Sequence, residues 1–195
     1  MRQAEMTRQT QETQIHVKLD LDGKGEATVS TGIGFLDHML TLLARHARID
    51  LDVSALGDLQ VDDHHTIEDT GIVIGKAIAL ALKDKRGIGR YGQALVPMDE
   101  ALVQSVLDLS GRPYLVFQAS FHGDRVGGFS TQMTAEFFRA LAYNAGMTLH
   151  LTCPYGQNDH HIIEGMFKAF ARSLRAAVAI DPSHAEDIPS TKGVL

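Results

Sequence analysis

Residues 14–21 (QIHVKLDL) alternate apolar and polar side chains, the period of a half-buried strand. The turn Asp22-Gly23-Lys24-Gly25 leads to a similar stretch at 26–31, and the pair predicts a β-hairpin. Past Gly32-Ile33-Gly34 the period lengthens. Apolar positions 35, 36, 39, 40, 42 and 43 predict a helix over 35–46, and 49–55 then reads as a strand. Asp62 or Asp63 can cap a helix from 64 to about 84, whose apolar stripe is Ile67, Ile74, Ile78 and Leu82. The charged, glycine-rich segment 83–92 reads as a loop. The same order then returns. Segments 101–109 and 113–119, joined by Ser110-Gly111, predict a second hairpin. A helix at about 131–145, a strand at 147–153 and a helix at about 159–179 follow. The stripe of that last helix is Ile163, Phe167, Phe170, Ala171, Leu174 and Val178.

Register supports an internal repeat. Asp63-His64-His65-x-x-Glu68 recurs as Asp159-His160-His161-x-x-Glu164, an offset of 96. The turns at Gly23 and Gly111 are offset by 88. The stretch His38…Ala47-x-Ile49-x-Leu51 matches Glu136…Ala145-x-Met147-x-Leu149 at an offset of 98. Small drifts of this kind arise from loop insertions between duplicated units. The expected architecture is an α+β fold with internally duplicated β-β-α-β-α halves, about 10–92 and 93–180, each a small sheet with two helices packed on one face. The whole is read as one domain, 1–195, with a loop-like tail at 181–195.

Composition narrows the class. A hydrophobic content of 44% over 195 residues is enough for a packed core and excludes a disordered chain. Lone Cys153 excludes a disulfide framework or a cysteine-based zinc module. The net charge of −6 argues against a nucleic-acid partner, which would need a basic surface. No run approaches the ~18–20 apolar residues of a membrane span, and the polar first twelve residues hold no apolar signal core, so no membrane partner and a cytoplasmic location are expected.

Histidine is the conspicuous entry, with ten copies and two adjacent pairs. Each pair begins a helix. At about 100° per residue, Glu68 projects between His64 and His65 but nearer His64, and Glu164 stands likewise to His160 and His161. One helix turn cannot readily wrap all three donors around a single ion, so the two imidazoles of a pair are expected to serve different metals. Imidazole with carboxylate suits Mn, Fe, Co, Ni or Zn and does not suit Ca or Mg. Adjacent histidines at a helix start can also be plain solvent-facing or capping residues, but two copies in one repeated frame favour metal ligation. His38 aligns with Glu136 across the repeat, and both are metal-competent, so seven or eight ligands are available, enough for two ions. Asp37 could orient a nearby imidazole. His16, His122, His150 and His184 read as ordinary surface or pairing residues, and His46 as a dipole partner ending the helix of His38.

Arg90 in Gly89-Arg90-Tyr91-Gly92 and Arg112 in Ser110-Gly111-Arg112-Pro113 lie in glycine-containing loops, where a guanidinium can take a phosphate through two parallel bonds. The tail adds Ser190-Thr191-Lys192-Gly193. Gly87-x-Gly89-x-x-Gly92 formally matches a dinucleotide fingerprint but follows a helix and precedes none, so it is rejected. Two other classes stay open on the residues alone. A two-metal phosphate-ester hydrolase would release inorganic phosphate, though aspartate is scarce in the clusters. A metal-storage or sensing assembly would have no need for Arg90, Arg112 and Lys192 to converge.

Taken together, Gly34-Phe35-Leu36-Asp37-His38-Met39-Leu40, Asp63-His64-His65-Thr66-x-Glu68-Asp69, Ser110-Gly111-Arg112-Pro113-Tyr114, Gly146-Met147-Thr148-Leu149-His150 and Asp159-His160-His161-x-x-Glu164 resemble the imidazoleglycerol-phosphate dehydratase family, in its monofunctional form, from about residue 2 to Leu195. The resemblance implies dehydration of D-erythro-imidazole glycerol phosphate to imidazole acetol phosphate in L-histidine biosynthesis, by way of a di-Mn-bound imidazolate. It implies two Mn²⁺ per active site as cofactor, and a homo-oligomer of twenty-four chains with active sites between subunits. Carried over by motif, the metal ligands are His38, His64, His65, Glu68, His160, His161 and Glu164. Glu136 stands where many relatives have histidine. Arg90, Arg112, Ser190 and Lys192 match contacts to the substrate phosphate, and His46 is grouped with them. Glu164 is the expected general base and Glu12 its acid/base partner.

Overall fold

The structure is a computed structural model that describes all 195 residues. The chain runs β1 (Gln3–Gln9), β2 (Thr13–Asp20), β3 (Ala27–Ser30), α1 (Gly34–Ala47), β4 (Asp50–Gly57) and α2 (His64–Leu82). The second half runs β5 (Tyr91–Met98), β6 (Ala101–Asp108), β7 (Tyr114–Gln118), a ribbon of β8 (Arg125–Val126) and β9 (Phe129–Ser130), α3 (Met133–Ala145), β10 (Thr148–Tyr155) and α4 (Asp159–Val178). One 3₁₀ turn, Pro182–His184, lies in the tail. The predicted helices and the strands β4 and β10 form close to their expected bounds.

Each half is a four-stranded sheet carrying two helices on one face. The strand orders correspond, β1-β2-β4-β3 and β5-β6-β10-β7. Helix α1 packs on α4 and α2 on α3, so the four helices form a layer between the two sheets. Alternation along β2 and β6 puts Ile15, Val17 and Leu19, then Val103, Ser105 and Leu107, on the helix side. Helix α2 packs on β1 and β2 and α4 on β5 and β6, and both apolar stripes belong to one cluster of 48 buried residues, so the halves share a core.

Two expected hairpins are corrected. Strands β2 and β3 are not neighbours, because β4 inserts between them, antiparallel to β2 and parallel to β3. The turn after β2 arcs over the start of β4. There the Asp50 carboxylate accepts the backbone N–H groups of Lys24, Gly25 and Glu26 at 2.8–3.0 Å. A Cβ on Gly23 would lie 2.3 Å from the Asp50 nitrogen, so the crossing needs glycine. In the second half β10 likewise separates β6 from β7, and the Thr148 hydroxyl donates to the Arg112 carbonyl across the same crossing. The actual hairpins are β1–β2 and β5–β6, so the main sheet of each half has one strand more than the β-β-α-β-α order, and the second half adds the β8–β9 ribbon. Segment 83–92 is a loop as far as Arg90 and then enters β5. Its glycines serve close packing, since a Cβ on Gly92 would meet the Ser173 carbonyl oxygen of α4 at 1.8 Å.

Candidate active site

Helix α4 begins on Asn158, whose side-chain oxygen accepts the N–H groups of His160 (2.9 Å) and His161 (3.4 Å). This cap starts the helix where both imidazoles fall in its first turn. His160 Nε2 lies 3.0 Å from Glu164 Oε2, one turn on. Helix α1 brings His38 Nε2 to 3.4 Å from the same oxygen. One donor atom from each of His38, His160 and Glu164 falls within 4.8 Å of the others, a group that could hold a metal ion. Glu164 is 6% exposed. Burial pushes its carboxyl up, but Lys168 Nζ, 2.6 Å from Oε1, and His160 outweigh that and hold it below the usual range.

The other imidazole of each pair points elsewhere, as the helix geometry requires. His161 Nδ1 is 2.7 Å from Glu100 Oε2. Glu100 also accepts the N–H groups of Asn158 (2.8 Å) and Gln157 (3.0 Å), and these contacts hold its carboxyl down to about 2. His65 Nδ1 is 3.0 Å from Asp58 Oδ2, while its Nε2 lies 3.8 Å from Glu12 Oε1. Both imidazoles are pushed up by these carboxylates. A carboxylate at Nδ1 fixes the tautomer and leaves the Nε2 lone pair for a metal. His64 Nε2 sits 3.6 Å from Glu68 Oε2, repeating the His160–Glu164 pairing in looser form.

Three expected positions behave differently. Glu136 is paired with Arg139 on its own helix and joins no group of three donors. Asp37 does not orient His38. It accepts the Thr31 N–H (2.9 Å) and hydroxyl (2.6 Å), because adjacent helical side chains diverge and the incoming loop needs an acceptor. His46 lies against α4 beside Lys168 and Arg172, half-buried and pushed down by that burial and those cations, and is not among the residues lining the anion cleft described next.

Arg90, Arg112, Ser190 and Lys192 line one cleft of about 370 Å³, with Tyr91, Thr191, Val194 and Leu195. Asp108 sits beneath it. It takes Arg90 through Nε (2.8 Å) and Nη2 (3.2 Å), and Arg112 Nη2 lies 3.7 Å away. Arg90 Nη1 donates to the Pro189 carbonyl (2.8 Å), tying the tail to the loop. Convergence of these basic groups counts against a pure storage role. Sequence reasoning missed Lys168, Glu100 and Asp58. Lys168 was findable as the i+4 partner of Glu164, and Glu100 as the residue 88 positions after Glu12; nothing in the sequence marked Asp58.

Imidazole nitrogens gathered with a carboxylate suit a first-row transition ion, so the donor set fits the expected metal. By class this is an α+β protein whose His38, His160 and Glu164 could hold a metal ion and which carries a cleft lined by Arg90, Arg112 and Lys192. A family model described as imidazoleglycerol-phosphate dehydratase matches residues 31–174. The chain is 59% identical to imidazoleglycerol-phosphate dehydratase of Azorhizobium caulinodans, over 100% of its length and 99% of that protein's. It is also 59% identical to the Lactococcus lactis subsp. lactis protein of that name, over 97% of each. The crystal structure of the Staphylococcus aureus dehydratase superposes with a TM-score of 0.84 at 42% identity, covering 92% of this chain and 99% of that one. The Pyrococcus furiosus structure, in complex with (S)-C348, gives 0.82 at 35%, covering 97% and 100%. The chain belongs to the imidazoleglycerol-phosphate dehydratase family, hydro-lyases of histidine biosynthesis.

Proposed function

We propose that this dehydratase acts on D-erythro-imidazole glycerol phosphate with two Mn²⁺ per active site, in the cytoplasm, as one domain of two homologous halves. The observation that carries the metal reading is the His38–His160–Glu164 group on two packed helices. His38, His64, His65, Glu68, His160, His161 and Glu164 would hold the ions, with Glu136 as an eighth ligand if it leaves Arg139. Bound there, the ions would supply Lewis-acid polarisation and a template for the substrate's imidazole. Arg90, Arg112, Ser190 and Lys192 take the phosphate, and His46 adds a neutral imidazole nearer α4. Glu164, kept ionised by Lys168, accepts the carbon-bound proton, and Glu12 as its acid/base partner gives a proton to the departing hydroxyl, which leaves as water.

A distance within the chain supports a homo-oligomer with active sites between subunits. The Arg90 amide bonds to the Ala177 carbonyl, thirteen residues past Glu164 on α4. At about 1.5 Å per residue the cleft and the metal group of one chain are roughly 20 Å apart along the helix. A substrate whose ring and phosphate are joined by about five bonds of ~1.5 Å spans well under half of that. In the proposed assembly of twenty-four chains a second copy brings its cleft to the first copy's metal group, and a closed homo-oligomer would do this for every copy.

The test is a coupled assay on Mn²⁺-reconstituted protein against a chelated control, with imidazole acetol phosphate as the product read. No ketone with metal present would overturn the reaction. Inactive Arg90→Ala and Glu164→Gln chains, co-refolded in equal amounts, should regain about a quarter of wild-type turnover through sites that draw one intact residue from each. No regain would place both residues in one chain's site and overturn the shared site.

A further inference from the structure

Glu12 sits in the turn between β1 and β2 with a half-exposed side chain, yet it must stand at a fixed place beside His65 to act. The turn is held by an internal set of bonds. The Thr10 hydroxyl accepts the N–H of Glu12 (3.1 Å) and of Thr13 (2.9 Å) and lies 3.2 Å from the Thr13 hydroxyl. The Thr13 hydroxyl in turn donates to Asp69 Oδ2, and Arg8 Nε donates to Asp69 Oδ1 at 2.8 Å. Asp69 is 6% exposed on α2, one turn beyond His65. The same helix therefore carries the imidazole and the anchor of the turn that presents the acid.

Strand pairing does not need this anchor. The β1–β2 ladder runs unbroken from Gln3 opposite Asp20 to Gln9 opposite Gln14. In the second half the place matching Asp69 is Gly165, and β5–β6 forms without any carboxylate there. Its corresponding acid, Glu100, also just precedes the second strand of its hairpin, but is pinned directly by two backbone N–H groups and His161. Burying a carboxylate is costly unless it is well bonded, and at Asp69 the bonds it makes all lead to the Glu12 turn and its flanking strand.

We infer that Asp69 is a positioning residue that, through Thr13 and Thr10, holds the Glu12 carboxylate in register with His65. This rests on the reading of Glu12 as the acid/base partner. The experiment compares Asp69→Asn, Thr13→Val, Glu12→Gln and the Asp69→Asn/Glu12→Gln double variant as Mn²⁺-loaded enzyme, reading kcat, KM and bound Mn²⁺. Asp69→Asn and Thr13→Val are each expected to lower kcat by about 10- to 100-fold, with KM and bound metal within twofold of wild type. In the Glu12→Gln background Asp69→Asn should have no further effect. If Asp69→Asn fails to fold, Thr13→Val, which leaves α2 untouched, carries the test alone. Wild-type kcat in Thr13→Val overturns the inference, as does a full additional loss in the double variant or a parallel loss of bound Mn²⁺. Wild-type kcat in Glu12→Gln overturns the reading of Glu12, and this inference with it.

Discussion

Lys168→Met isolates what keeps Glu164 charged. The methionine retains the apolar stem of the lysine while removing the ammonium 2.6 Å from Glu164 Oε1. Side-chain exposures of 19% for Lys168 and 8% for Glu164 make this a mostly buried pair, so an unpartnered carboxylate cannot simply rehydrate. Breaking a fully buried pair costs about 3–5 kcal/mol, and the residual exposure and the remaining His160 contact bring the expectation to about 2–3 kcal/mol. For a chain of this size that is a fall in Tm of roughly 4–12 °C. The pH dependence has a definite sign. The Glu164 carboxyl lies below its ordinary value of 4.5, so its stabilisation is present above that value and is lost as pH falls through the lowered one. In the variant, burial acts with less to oppose it and the carboxyl moves up. The stability gap between wild type and variant is therefore widest near neutrality and shrinks as pH falls from the variant's raised value toward the wild type's lowered one. Urea titration of chelator-treated protein at fixed chain concentration, at pH 7 and at pH 4, measures both. A gap under about 0.5 kcal/mol at pH 7, or one equal at both pH values, would refute the claim that Lys168 holds Glu164 ionised.

Arg90→Lys removes a fork that binds Asp108 and the Pro189 carbonyl at once. Substrate KM should rise about tenfold or more with a smaller change in kcat, and inorganic phosphate should bind correspondingly more weakly by calorimetry. Glu100→Gln takes away the charge that fixes His161, so the affinity for Mn²⁺ should fall by about 10- to 100-fold in a metal titration while the fold is retained.

Periodicity revealed the helices, because α1, α2, α3 and α4 each bury one face and leave another wet. The strands it missed have weak or two-sided patterns. In β1 the inward-facing residues are Ala4, Met6 and Arg8, a short, a half-buried and a charged side chain among Gln3, Glu5, Thr7 and Gln9, so the segment reads as polar. In β5 Leu95 faces outward at 64% exposure beside inward Val96, which blurs the alternation. The false hairpins have a different origin. A short glycine turn between two strand-like runs is compatible with direct pairing, and only the later strand, bonded to both, shows that the turn bridges over it. At the site, the repeated His-His-x-x-Glu frame was legible because ligand types and helical spacing are local. The partners at Nδ1 of His65 and His161 were not, since Asp58 and Glu100 arrive from separate loops. Glu136 was readable as metal-competent by type alone, and its pairing with Arg139 three residues on is also local.

The corresponding halves differ where the chemistry needs asymmetry. Glu68 and Glu164 share a frame, yet the side chain of Glu68 is 43% exposed and that of Glu164 only 8%. Four residues on stand Ile72 and Lys168, so only Glu164 has a cation one turn away. Glu68 is thus a carboxylate that water can already solvate, whereas Glu164 is one kept charged out of water by a fixed neighbour, the condition for accepting a proton at a defined point. The hairpin acids differ in the opposite sense. Glu100 is tied down by Gln157, Asn158 and His161, while Glu12 makes no side-chain bond shorter than its 3.8 Å approach to His65. Under the proposed roles each half supplies one carboxylate to move a proton, Glu12 or Glu164, and one to hold an ion or an imidazole, Glu68 or Glu100. A strictly symmetric pair of halves would place two identical acids at identical sites, with nothing to decide which one takes the proton and which one returns it.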